Sequence, residues 1–386
     1  MTNAPGAKTV RVALITEIIS PYRIPVFNAL ARMKGIDLHV VFLAETDPTQ
    51  RHWLVYKDEI EFSYEVLPAW RRRSGAWHIL VNRGMWSALN RFRPSSILCG
   101  GYNYPAFWEA LAWAKIHSAH FAAWIESTSR DQRRAGILTE FIKRRFIRNC
   151  NSFAVPGKSS FQYVRSMGVL AGRIYTAPNA VDIQRFANLA GSVREKEAQC
   201  RTELGLPQRY FLYAGRVTRE KGVFQLLEAY TQLERDLRAE VALVLVGEET
   251  ARVELMKDAT KIYPGTVVFM GFAQRDQLAA FYALAEVLVF PTLSDPWGLV
   301  VNEAMACGLP IIASDAAGCV ADLVHDGENG YVIPSGNVGK FAEAMAAFAR
   351  DPQLAPRMGT RSARLIENFS PECCAAGLAM AAGVQP

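Results

Sequence analysis

The 386-residue chain has no cysteine framework. Its seven cysteines (Cys99, Cys150, Cys200, Cys307, Cys319, Cys373 and Cys374) follow no metal-ligand spacing, and no CxxC pair occurs. That pattern fits unpaired thiols in a reducing compartment better than a disulfide scaffold. No run of about 18 uncharged apolar residues occurs, which excludes the usual signature of a membrane-spanning helix. The N-terminal MTNAPGAKTVRVALITEII lacks a signal-peptide layout, because its apolar stretch is interrupted by Glu17; a cytoplasmic location is expected. There is no internal repeat, no low-complexity segment and, with six histidines, no histidine cluster.

What is present is the material of a globular protein. Half the residues are hydrophobic and 21% are charged, enough for two cores of the usual domain size. The net charge of +6 is unevenly spread. Residues 1–190 hold 25 Lys and Arg against 13 Asp and Glu, a surplus of twelve, while the remainder is acidic by six. A basic half points to an anionic partner. The runs Arg71-Arg72-Arg73, flanked by Trp70 and Trp77, and Lys143-Arg144-Arg145 concentrate that charge. They read either as a solvated surface or as peripheral contact with an anionic membrane. No recognised motif accompanies the charge, so nucleic acid is not an expected partner.

Short apolar runs alternate with helical patterns through the first half. Val10–Ile15, Leu38–Leu43, Ser96–Cys99, Phe121–Ile125 and Ser152–Val155 read as strands. Ile24–Met33, Tyr104–Ile116 and Ile137–Arg148 between them read as helices. Strands separated by helix-length segments specify an α/β fold with a parallel, doubly wound sheet. Around Ala177–Gly205 turn residues and charges suggest an interdomain connection or an irregular hinge. The pattern then restarts, with strands at Tyr210–Ala214, Val241–Val246, Val267–Met270, Val287–Pro291 and Pro310–Ala313. The expected organisation is therefore two Rossmann-like domains, residues 1–180 and 181–370, facing each other across a cleft. A last helix over 371–386, opened by Ser370-Pro371, is expected to pack back on the first domain.

The chemistry concentrates in SDPWGLVVNEAMACGLPIIAS, residues 294–314. Asp295 lies in the loop after a strand, and Glu303 falls on the first turns of the next helix. Gly298 permits close backbone approach, and the free amides around Leu299 and Val300 at the helix start suit a phosphate. Upstream, Gly215-Arg216-Val217-Thr218-Arg219-Glu220-Lys221-Gly222 follows a strand and opens a helix. Arg offers bidentate contact to phosphate and Lys a flexible point charge.

These two strings resemble the E-x7-E and G-R-x4-K-G segments of the retaining glycosyltransferases of family 4, with Asp295 at the first acidic position. The resemblance implies the GT-B fold and a nucleotide-diphosphate sugar as donor substrate, with no separate cofactor. Asp295 would contact the donor sugar and Glu303 the ribose, while Arg216 and Lys221 would neutralise the leaving diphosphate. Gly215, Gly247, Gly271 and Phe272 would line the nucleotide site. No D-x-D occurs, and the family generally needs no bound metal, so none is expected here. Pro178-Asn179-Ala180-Val181-Asp182 resembles the family's P-N-G-V-D segment.

The first domain departs from the family's pattern. Glu17-Ile18-Ile19-Ser20-Pro21-Tyr22-Arg23 stands where the family often has a glycine-rich loop, which leaves Ser20 and Tyr22 as candidates there. Many relatives place a histidine after the fourth strand, where this chain has Glu126. That carboxylate reads either as an acceptor-orienting group or base, or as a structural partner of Arg130 or Arg133. His117 and His120 read as helix-end and core residues. The expected activity is retaining transfer of a hexose-type sugar to a hydroxyl acceptor, a glycan or a lipid-linked molecule. A nucleotide-sugar epimerase of the same architecture and a non-catalytic membrane-docking protein are the competing readings.

Overall fold

The computed structural model describes residues 9–47, 53–74, 77–130, 137–248 and 266–384. The chain divides into two compact units. The first runs to Ala180 and takes in the C-terminal segment from Pro371 onward; the second runs from Val181 to Ser370 and takes in Thr128–Arg130.

In the first unit, β1 (Val10–Thr16), β2 (Ile36–Phe42), β3 (Ser63–Val66), β6 (Ser96–Cys99), β7 (His120–Trp124), β8 (Ser152–Val155) and β9 (Ile174–Thr176) form one parallel sheet. Their order is β3-β2-β1-β6-β7-β8-β9. Strands such as β6 and β8 are buried throughout, as expected of a sheet covered on both faces. One apolar cluster packs Ala13, Ile15 and Ile97 against Phe107 and Phe146; the other packs Val12, Leu14 and Phe27 against Cys374 and Leu378 of the Pro371–Ala381 helix. Burial of each such large side chain stabilises the fold by about 1.5–3 kcal/mol. His120 Nε2 and Ser96 Oγ tie that last helix down through the carbonyls of Ala381 and Ala382, at 2.9 and 2.8 Å.

A separate antiparallel ribbon, β4 (Ala69–Ser74) with β5 (Trp77–Asn82), contains Arg71-Arg72-Arg73. The arginine run is therefore strand, where the sequence shows only charge. Leu80 is 2% exposed and faces the core, and its cross-strand partner Arg71 forms an ion pair with Asp47.

The second unit carries β10 (Tyr210–Ala214), β11 (Ala242–Val246), β12 (Val267–Gly271), β13 (Val287–Phe290), β14 (Ile311–Ser314) and β15 (Gly330–Ile333). All are parallel, in the order β12-β11-β10-β13-β14-β15. The boundary between the units, at Ala180 and Val181, falls in the segment expected to connect domains, and residues 183–204 correct only the alternative of an irregular hinge. They form two helices, Ile183–Glu195 and Glu197–Leu204. Asp182 caps the first by accepting from the Arg185 amide, and left-handed Gly205 ends the second. The charges are the solvated faces of these helices, and Phe186 and Ala190 are the buried ones.

Candidate functional site

In an open parallel sheet, ligands bind beyond the carboxyl ends of strands at the point where strand order reverses. In the second unit that point lies between β10 and β13, which are neighbours although β11 and β12 intervene in sequence. The loops leaving these two strands are Gly215–Gly222 and Pro291–Gly298, the two strings singled out in the sequence. Topology brings them together.

Lys221 Nζ donates to Asp295 Oδ2 at 2.7 Å and approaches the Ser294 carbonyl at 3.3 Å. The Trp297 amide donates to Asp295 Oδ1 at 3.0 Å, so both carboxylate oxygens are engaged. Both side chains are less than one-fifth exposed, so solvent screens the pair weakly. Gly222 permits this arrangement. Its φ is +72°, and an added Cβ would stand 2.0 Å from the Pro291 carbonyl oxygen, so the two loops touch through backbone. A second contact of this kind joins Gly247, after β11, to Gly215, where an added Cβ would lie 1.8 Å from the Gly215 oxygen. Arg216 is exposed on the same loop as Lys221, and its carbonyl accepts from the buried Tyr213 hydroxyl at 2.7 Å. Burial pushes the Tyr213 phenol well above its ordinary pKa, with Asp295 adding to the shift.

The helix Leu299–Ala306 begins at Gly298 in this crevice. The first amides of a helix have no intrahelical acceptor, and here they belong to Leu299 and Val300. One turn on, Glu303 is 1% exposed and accepts from Tyr282 Oη at 2.6 Å through Oε2. Trp297 Nε1 donates to buried Asn302 at 2.9 Å and fixes the loop to the helix. Tyr282, Trp297 and Asn302 were not singled out in the sequence. Tyr282 sits on another helix, 21 residues away, and no local spacing marks it. Gly271 ends β12 and Phe272 follows it, 47% exposed.

Glu126, in the first unit, does not pair with Arg130. It forms an ion pair with Arg23, whose guanidinium also donates to Asn179 at 2.9 Å and lies 4.0 Å over the Trp124 ring. Arg130 pairs with Asp315 at 3.1 Å. Arg133 and the side chains of Arg72, Arg73 and Trp77 lie outside the described residues. Ser20 and Tyr22 are both half-buried on the loop after β1. His117 stacks on Trp113 at 4.1 Å at a helix end. Among the described residues no group of three His, Cys, Asp or Glu is placed to hold a metal. No described helix is long and apolar enough to cross a membrane.

Two family models match successive stretches of the chain: Glycosyltransferase Family 4 over residues 26–185 and Glycosyl transferases group 1 over residues 196–365. The chain belongs to this glycosyltransferase family. A D-inositol 3-phosphate glycosyltransferase of Streptomyces bingchenggensis is 31% identical over 229 residues, covering 56% of this chain and 49% of that protein. An alpha-D-kanosaminyltransferase of Streptomyces kanamyceticus is 32% identical over 191 residues, covering 47% and 49%. The matched part of the chain thus spans about half the length of the curated relatives. The crystal structure of Anabaena HepE in complex with UDP and glucose superposes with a TM-score of 0.74 at 16% identity, covering 96% of this chain and 98% of that one. At that identity the likeness establishes the fold, the GT-B pair of Rossmann-like sheets.

Proposed function

We propose that the protein transfers a hexose-type sugar from a nucleotide-diphosphate sugar to a hydroxyl acceptor, with retention of anomeric configuration. The observation that carries this reading is the convergence of Lys221, Asp295, the Gly298 helix start and Glu303 at the β10/β13 crevice. Cations and helix amides suit a diphosphate, and carboxylates suit hydroxyls. Glu303, already oriented by Tyr282, would take the ribose diol. Asp295 and the neighbouring backbone would meet the hexose, with Gly247, Gly271 and Phe272 lining the base.

In the reaction the bond from the anomeric carbon to the diphosphate oxygen breaks, and its electron pair leaves with the diphosphate. Arg216 and Lys221 neutralise that charge. The acceptor oxygen then bonds to the oxocarbenium-like carbon from the same face, and its proton passes to the departing phosphate oxygen. Positioning and fixed charge do the catalysis, and two cations take the part a divalent metal plays elsewhere. The acceptor is a glycan or a lipid-linked hydroxyl, met by the first unit at the inner face of the membrane. Glu126, held by Arg23, would orient it.

A melting-temperature screen against nucleoside diphosphates tests the donor site, since a ligand held only by the folded chain at a hundred times its Kd adds about 2.7 kcal/mol. No shift with any of them would sink the proposal. Incubation of the sugar donor alone separates transfer from epimerisation, because an epimerase converts it without acceptor. Turnover that survives a chelator supports the metal-free mechanism, and the anomeric configuration of the product decides retention.

A further inference from the structure

We propose that the outer face of the Ile137–Ile147 helix is the surface by which this protein docks on an anionic lipid bilayer. The inference deepens the peripheral membrane contact of the reading above and rests on it.

The sequence shows Lys143-Arg144-Arg145 as one block of charge, but the structure separates them. Lys143 is 8% exposed, with its Nζ 4.3 Å over the Tyr163 ring, and it faces inward with Phe146 and Ile147. The other side of the helix presents Phe141, 66% exposed, and Ile142, 42% exposed. Arg144, Arg145 and Arg148 stand three, four and seven positions after Phe141, on the same helical face, and all three are exposed. The Arg148 amide still bonds to the Arg144 carbonyl at 3.0 Å, so the face continues past the last assigned residue. Glu140 partners Arg144 at 3.2 Å. Among the described residues neither Arg145 nor Arg148 makes an ion pair.

An exposed phenylalanine ringed by guanidinium groups is an unfavourable surface in water and a matched one at a lipid interface. The ring and Ile142 can enter the boundary between headgroups and acyl chains, while arginines snorkel to phosphate. Charge complementarity selects anionic over neutral lipid, and the basic surplus of residues 1–190 acts in the same direction. The β4–β5 ribbon also exposes an apolar cross-strand pair, Trp70 and Val81. Arg71 beside it is engaged by Asp47, however, whereas Arg145 and Arg148 on the helix make no ion pair among the described residues.

The test is co-sedimentation of the full chain with vesicles of phosphatidylcholine alone and vesicles enriched in phosphatidylglycerol. Wild type should sediment with the anionic vesicles only, and less so as salt rises. Arg145→Glu/Arg148→Glu should weaken that partition by about tenfold or more, since each basic residue near such a surface contributes a factor of roughly five. Phe141→Ser should weaken it in low and high salt alike. Both variants change exposed side chains, so their melting temperatures and their shifts with nucleoside diphosphate should match wild type. Wild type that ignores anionic vesicles would overturn the proposal. So would variants that bind like wild type, or loss of binding in Trp70→Ala alone. A failure of the donor site would instead appear as a missing nucleotide shift in every variant.

Discussion

Lys221 and Asp295 form an ion pair in the crevice, so neither can be changed in isolation. Lys221→Ala removes the charge that would stabilise the leaving diphosphate, and turnover should fall by roughly 10²–10³-fold. It also leaves a largely buried carboxylate without its cation, which costs about 3 kcal/mol. The double variant Lys221→Ala/Asp295→Asn should recover part of that stability and none of the activity. Urea unfolding and turnover, measured on both proteins, check the two halves separately. Gly222→Ala should destabilise by roughly 2 kcal/mol or more, because the methyl group would press on the Pro291 carbonyl at a positive φ. An unchanged urea midpoint would show that the two loops are not locked as described.

The residues of this crevice were legible in the sequence because they cluster in two short strings. Tyr282 was not, since its hydroxyl reaches Glu303 from a separate helix. Tyr282→Phe should raise the donor KM more than it lowers kcat, and the penalty should be smaller for a 2′-deoxyribose donor. Equal penalties for both donors would show that Tyr282 only supports packing.

Among the elements, the C-terminal helix Pro371–Ala381 contributes to the first unit's core. His120 approaches its Ala381 carbonyl, and burial lowers the imidazole's pKa below its ordinary value. The folded chain therefore prefers neutral His120. The stability this contributes is full above the unfolded value, near 6.5, and fades as pH falls through the lower folded value. Amide protection factors across Pro371–Ala381, corrected for the intrinsic pH dependence of exchange, should fall between pH 7.5 and 5.5 in wild type but not in His120→Asn. Asp276 behaves alike at lower pH. Its hydrogen bond to Arg185, on the helix Ile183–Glu195, lowers its pKa, so that contribution fades as pH falls below the usual carboxylate range. At this scale the sequence showed the long buried strands well and missed β3, β4, β5, β9 and β15. Three of these are four residues or fewer, and β4 carries an arginine run that hides its alternation.

For the whole molecule, two parallel sheets each reverse strand order once, between β1 and β6 and between β10 and β13. Each reversal makes a crevice at the carboxyl ends of its strands. The second crevice collects the Lys221–Asp295 pair and the Gly298 helix start, and beside the first lie the Arg23–Glu126 pair and Asn179. Their different chemistries agree with a donor bound by one unit and an acceptor met by the other.

Local order settled what a sequence can settle by itself. The spacing of apolar residues wrote two α/β units, and glycines beside strand ends marked where backbone must come close. Two short strings carried the charged and acidic groups of the proposed donor site. Tertiary structure decided which partner each charge takes: Glu126 goes to Arg23, Arg130 to Asp315 and Lys221 to Asp295. It also decided that Lys143 turns inward while its neighbours turn out. The reason is physical. Periodicity fixes which face of an element is apolar, but the partner of a charge depends on which other element packs within a few ångströms, and that is set by strand order rather than by neighbours in the chain.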